Sequence, residues 1–198
     1  MPKVVDHDQR RIEIVEATWR IISRVGFERA TLQNISAEAG YANGAIKPYF
    51  PTKDDLLTFA FDYVFRQTNA RMTEATRGLT GMRALRTYCL EILPIDELKL
   101  NEARIVIPFW QLSLSDPVTS EIHEKAMRRW RETMAGYLDE AKALGEMDGR
   151  LATPTVVGQL LNMALGAQIT ATLTPQDQPI PDLTAQLDLF LGMLANHS

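Results

Sequence analysis

A single cysteine, Cys89, stands in 198 residues. One thiol excludes an internal disulfide and a thiolate metal cluster, and it fits a reducing cytoplasm. Histidine is almost as scarce: His7, His123 and His197 never approach one another at ligand spacing, so no metal and no other cofactor is expected. The N-terminus is polar through Arg11 and lacks a signal-peptide pattern, and no apolar run approaches the roughly 18 residues of a membrane span, so no membrane partner is expected. Gly-rich phosphate loops, nucleophile elbows and zinc motifs are also missing. The acid pairs Asp54-Asp55, Asp96-Glu97 and Asp139-Glu140 read as helix starts or surface. With no catalytic constellation to name, an enzyme is not expected.

What is present reads at helical period throughout. Ten prolines and eleven glycines punctuate the periodic runs, which argues for a folded chain. No alternating strand pattern appears, so the class is all-α. Charge is uneven along the chain. The total is −4, but residues 1–53 hold eight Lys/Arg against six Asp/Glu, a head of +2 before a body of −6. Such a head can sit beside phosphates, although ordinary surface charge explains the difference equally well.

The stretch from Thr31 to Lys53 organises the rest. Thr31 is placed to cap a first short helix, and Gly40 to end it in the left-handed conformation that glycine reaches without strain. Leu32, Ile35, Ala39, Ile46 and Phe50 are the apolar positions that let this helix pack on a second one, expected from about Asn43 to Phe50. The second helix is left with an outward face of Asn43, Ala45, Lys47 and Tyr49, small and polar enough to approach base edges. Thr52 with Asp55 forms a capping box for the next helix, starting at Lys53.

These anchors in register, Gly26-Phe27, Thr31, Ile35-Ser36, Ala39-Gly40, Gly44-Ala45-Ile46, Tyr49-Phe50 and Lys53 with Leu56-Leu57, resemble the DNA-binding domain of the TetR family of one-component bacterial transcription regulators. Two positions depart from that pattern. Lys47 stands where the family usually has an aromatic residue and Pro48 where it has a polar one. Proline inside a helix withholds the N–H that the carbonyl of Gly44 would receive, so a late start or a bend is expected. The resemblance implies a helix-turn-helix domain over 1–53, continuing into a connecting helix over 53–76, and a helical effector-binding and dimerisation domain over 54–198. It implies base-facing candidates Tyr41, Asn43, Ala45, Lys47 and Tyr49, with Thr31, Gln33 and Lys53 near phosphate.

Along the chain, residues 1–7 read as a loose arm with Arg10 and Arg11 just inside a first helix, whose stripe is Ile12, Val15, Trp19 and Ile22. A long helix runs from Lys53 to about Thr76, and Leu79–Leu93 follows beyond Gly78. Residues 96–114 turn apolar in their second half around Pro108, which withholds a helical donor from the carbonyl of Arg104 and predicts a kink. Asp116-Pro117 opens a helix bearing Trp130 and Met134. Thr153-Pro154 opens another, apolar on most of its circumference, and after the loop TPQDQPIP the last helix repeats Leu183, Leu187, Phe190, Leu191 and Leu194. Two such helices carry more apolar surface than one small body hides, which suggests a subunit interface; periodicity equally allows that they complete a monomeric core, and it is the resemblance that implies pairing through them.

Tyr63, Tyr88, Phe109, Trp110, Met127, Trp130, Met134 and Met163 are core-like at this spacing. The resemblance implies that some of them line a cavity for a largely apolar effector, oriented by Gln111, Asn162 or Gln168, with Arg104 the one charge able to offset an anionic ligand. The expected protein is a cytoplasmic homodimeric repressor that binds a palindromic double-stranded DNA operator, pairs through its last two helices and is released by a small molecule. The alternatives are an effector-binding helical protein with lost or altered operator recognition and, more distantly, a helical enzyme.

Overall fold

The structure is a computed structural model that describes residues 7–174 and 182–195, without the side chains of Asp8 and Ser23. Among the described residues eight helices follow in order: α1 His7–Val25, α2 Leu32–Glu38, α3 Lys53–Ala75, α4 Gly81–Leu90, α5 Glu97–Ser113, α6 Pro117–Ala143, α7 Thr153–Leu173 and α8 Leu183–Leu194. Among the described residues there is no strand, only an isolated bridge between Met147 and Ala195. The expected arm before His7, the loop over 175–181 and the chain after Ala195 lie outside the described residues.

Local chemistry places the helix starts. Thr52 N–H donates to Asp55 Oδ2 at 3.0 Å while Asp55 N–H donates to Thr52 Oγ1 at 3.0 Å, the reciprocal box expected at the head of α3. Asp116 accepts from Thr119 N–H at 2.8 Å ahead of Pro117, and Asp182 accepts from Ala185 N–H at 2.9 Å ahead of α8.

The chain divides into two compact units. The first comprises Met1–Phe65 with Arg104–Ser120, and the second Arg66–Ala103 with Glu121–Ser198. The division falls within α3, α5 and α6, whereas the motif pattern alone suggested a boundary at Lys53, because a helix that shares a core with two segments carries no sequence mark at the changeover. In the first unit the α1 stripe is Ile14, Val15, Thr18, Ile21 and Ile22, with Ile12 and Trp19 half-buried at its edge. Ala30, Ile35, Ile46, Phe50, Leu56, Leu57, Phe61 and Phe109 complete that core. Phe61 and Phe109 stack face to face, their centroids 3.8 Å apart and 8° from parallel. Pro108 lies inside α5, which continues as one helix to Ser113.

The second unit buries Leu85, Tyr88, Cys89, Met134, Leu138, Leu160, Leu187 and Leu191. Burial pushes the Cys89 thiol up to about 12, so it stays protonated. By length and composition α7 would qualify as a membrane-spanning helix, contrary to the expectation from the sequence, but 44% of that window is buried. Beyond Pro154 in its first turn, the exposed positions Thr155, Gln159, Asn162, Gly166, Ile169 and Leu173 recur every three or four residues and, with Thr170 beside Ile169, form one stripe. On α8, Leu183, Leu187, Leu191 and Leu194 face the chain's own core, and Leu189 and Met193 are exposed. Arg86 on α4 grips Asp188 on α8 with two bonds of 2.6 and 2.9 Å.

One buried charge pair stands out. Glu102 is 6% exposed and takes both arms of the Arg71 guanidinium, each at 2.7 Å, with Thr68 Oγ1 donating at 3.3 Å. Arg71 also donates to Glu91 at 3.2 Å, and Lys99 reaches Asp96 at 3.0 Å. Burial pushes the Glu102 carboxyl above its ordinary range and the Arg71 bonds pull it back. Removing one partner strands the other. Arg71→Met should therefore cost about 3–5 kcal/mol in chemical denaturation, and Arg71→Met/Glu102→Leu should recover most of that loss.

Candidate functional site

The candidate site is built on the turn between α2 and α3. Thr31 caps α2 as expected: its Oγ1 accepts from Asn34 N–H at 3.2 Å, and Asn34 Oδ1 accepts from Thr31 N–H at 2.6 Å. The far end closes with Tyr41 N–H donating to Ser36 carbonyl at 2.8 Å and Gly40 N–H to Ala37 carbonyl at 3.1 Å. That pairing requires a left-handed residue between them, and Gly40 supplies it at φ +76°. Buried Ser36 donates to the carbonyl of Ala42 at 3.1 Å and pins the chain as it leaves the turn. Arg20 and Arg24 of α1 bind Glu38 at 2.9 and 3.0 Å, joining α1 to α2 and holding the Glu38 carboxyl below its usual range.

The helix expected over 43–50 is not formed. Residues 43–49 are a succession of turns, with Ala45 N–H to Ala42 carbonyl, Lys47 N–H to Gly44 carbonyl and Tyr49 N–H to Ile46 carbonyl, all spanning three residues, and one four-residue bond from Phe50 N–H to Ile46 carbonyl. Two residues account for it. Gly44 has φ +81°, outside the helical region, and Pro48 has no N–H to donate. The sidedness expected of the segment is nonetheless present. Ile46 and Phe50 are buried, whereas Asn43, Ala45 and Lys47 are exposed and Tyr49 half-buried.

The two tyrosines of this face are held by α1. Arg10 Nη1 donates to the Tyr49 hydroxyl at 3.3 Å, and its guanidinium carbon lies 5.6 Å from the centroid of the Tyr41 ring. The Tyr41 hydroxyl donates to the Glu13 carboxylate, which raises the phenol above its ordinary range. His7 lies 5.6 Å from the Tyr49 ring, centroid to centroid. Lys53, expected near phosphate, donates to the carbonyl of Phe27 at 2.6 Å and of Glu28 at 3.4 Å, over the Phe27 ring at 3.9 Å. It ties the start of α3 to the α1–α2 loop. Gln33 and Thr31 are exposed. Sequence reasoning missed Glu13 and the tethering role of Lys53, because their partners lie 28 and 26 residues away along the chain.

The effector candidates fall in both units. In the first, Phe109 is buried against Phe61, Tyr63, Arg104 and Trp110 are half-buried, and Gln111 is exposed. In the second, Tyr88, Met127, Trp130 and Met134 are buried and Met163 is half-buried. Asn162 belongs to the exposed stripe of α7, and Gln111 is exposed on α5. The Tyr88 phenol is pushed up by burial, and its ring meets Tyr137 edge-on at 5.9 Å. Trp130 Nε1 donates to Asn69 Oδ1 at 3.4 Å. Buried Gln168 donates through Nε2 to the Ile92 carbonyl at 3.1 Å, and its Oε1 has no hydrogen-bond partner among the described residues.

No atom lies within 4 Å of a Cβ built on Gly44, so substitution there meets only the backbone strain of its positive φ. Gly44→Ala should lower stability by about 1–2 kcal/mol in chemical denaturation. An unchanged stability with increased helical circular dichroism would mean that the segment had reset to a helix.

Comparisons with known proteins cover both ends of the chain. Residues 14–58 match the family described as bacterial regulatory proteins, tetR family, and residues 82–195 match the BetI-type transcriptional repressor C-terminal family. The HTH-type transcriptional regulator PksA of Bacillus subtilis is 33% identical over 145 residues, covering 73% of this chain and 71% of PksA. BetI of Serratia proteamaculans is 25% identical over 183 residues, 91% of each chain. Among solved structures, a transcriptional regulator from Rhodococcus sp. Rha1 superposes with a TM-score of 0.81 at 26% identity, covering 95% of this chain and 98% of its own. A putative transcriptional regulator from Saccharomonospora viridis in complex with choline superposes with a TM-score of 0.87 at 21% identity over 96% and 100%. With its helix-turn-helix region and the larger part of its body both matched, the chain is a transcriptional regulator, not an enzyme, and belongs to the TetR family.

Proposed function

We propose that the chain is a cytoplasmic homodimeric repressor that reads a palindromic operator with the 41–49 face and leaves it when a small molecule binds the body. The observation that carries the DNA reading is the sidedness of the turn segment. Asn43, Ala45 and Lys47 project from a backbone anchored underneath by Ile46 and Phe50. Lys47 is the cation of this set, and Thr31 and Gln33 are exposed at the start of α2 for phosphate. Selection of duplexes from a random library by the wild-type chain should enrich a two-fold symmetric site. On that site Lys47→Ala should weaken binding by about 1–3 kcal/mol with relaxed preference at one base pair. Equal loss on random DNA would make Lys47 a phosphate contact instead.

A second reading, an effector-binding protein without operator recognition, is favoured by the missing regular helix over 43–49. Ligand binding with no enriched duplex would select it.

For the effector, the supporting groups lie in the second unit, where Tyr88, Trp130 and Met134 are buried and the buried Gln168 carries an oxygen without a hydrogen-bond partner among the described residues. They suit a largely apolar, ring-containing or quaternary ammonium molecule, the latter because aromatic faces attract cations. A structural relative holds choline, which is such a cation. Release of DNA follows if the ligand prefers a body conformation in which the two DNA faces lose their spacing.

The dimer is proposed to form through the outward stripes of α7 and α8, where Ile169, Leu173, Leu189 and Met193 are 42, 78, 65 and 65% exposed. Exposed Gly166 and Gly192 leave room for a close approach. Met193→Asp should shift the chain to monomer in sedimentation while it stays folded, because the charge would be buried against its own copy. Leu187→Asp should unfold the protomer, since Leu187 is wholly buried within it.

A further inference from the structure

Tyr41 and Tyr49 bound the proposed DNA-facing segment, which lacks the regular ladder that would fix the backbone beneath their side chains. Pro48 contributes no N–H, and Gly44 interrupts the helical dihedrals. Side-chain order must come from elsewhere, and α1 provides it. Arg10 and Glu13 are three residues apart and so share one side of α1. Arg10 donates to the Tyr49 hydroxyl and lies over the Tyr41 ring, while Glu13 receives the Tyr41 hydroxyl. The two residues therefore grip both tyrosines at once.

We infer that Arg10 and Glu13 are positioning residues for operator recognition, with Glu13 serving discrimination at the expense of general affinity. An exposed carboxylate next to a surface that approaches phosphates repels every duplex alike. Its hydrogen bond to Tyr41, by contrast, matters only where the ring and hydroxyl must meet a particular base step. A residue that weakens all DNA binding while ordering a contact raises the ratio between right and wrong partners. The inference rests on the 41–49 face being the one that meets DNA.

The test measures binding of the full-length chain to two duplexes at one fixed salt concentration: the site enriched by the wild-type protein and a random sequence. Glu13→Ala should bind random DNA more tightly than wild type, because a negative charge is gone. Its operator-to-random ratio should fall about three- to tenfold, the net worth of one hydrogen bond at a solvent-exposed site. Glu13→Gln should gain the same random affinity but keep most of the ratio, since its amide oxygen still accepts from Tyr41. Tyr41→Phe should lose ratio as Glu13→Ala does, and the double variant should lose no more than either single one. A merely structural role for Glu13 would lower affinity for both duplexes and leave Glu13→Gln no better than Glu13→Ala. An unchanged ratio in Glu13→Ala, with Lys47→Ala still impaired on the operator, overturns the inference alone. No effect of Lys47→Ala on either duplex, or no enriched duplex at all, overturns the reading of the face and the inference with it.

Discussion

Backbone hydrogen bonding between Ala42 and Phe50 is the constraint on which the rest of the DNA end depends. A helix propagates only while each residue keeps right-handed dihedrals and offers an N–H to the preceding turn. Gly44 breaks the first condition with φ +81°, and Pro48 breaks the second. What remains is a string of three-residue bonds over a buried Ile46 and Phe50. Packing fixes where the segment lies, and side chains of α1 fix how its tyrosines stand. The capped α2, the Glu38 pairs and the Lys53 tether hold α1, α2 and the start of α3 in one arrangement, so that a short irregular segment sits on a rigid base.

The body meets a different demand. α7 is apolar over most of its circumference, yet the protomer covers it on one side. Its buried side includes Val156, Leu160, Ala164, Ala167 and Ala171, and the opposite stripe combines polar residues with Ile169 and Leu173. α8 is divided likewise, its leucines at 183, 187, 191 and 194 turned inward and Leu189 with Met193 outward. Buried Gln168 bonds the Ile92 carbonyl through Nε2, which ties α7 to the chain beyond α4. The Arg71–Glu102 pair adds a buried charge matched on both oxygens.

The sequence by itself determined the all-α class and the order and most of the ends of the helices that form, although its pattern also predicts one over 43–50 that does not. Caps and turns are local: Thr31, Thr52, Asp116 and Asp182 reach backbone groups within three residues, and Gly40 needs only its own φ. The sidedness of residues 43–50 was legible for the same reason, since an apolar pair four residues apart must turn inward whether or not the intervening bonds are helical. Pro48 also announced a disturbance, though not its extent.

Tertiary structure alone decided the contacts that cross long stretches of chain and the face that an apolar helix buries. Nothing within a few residues of Glu13 marks it as the partner of Tyr41, nor Lys53 as the partner of the Phe27 carbonyl. Periodicity could not tell that Leu187 turns into the protomer while Leu189 turns out, or that Asn162 and Gln111 stand at the surface. A helix with apolar residues on every side has no preferred direction of its own. The direction is set by which neighbours arrive, and that is a property of the packed chain.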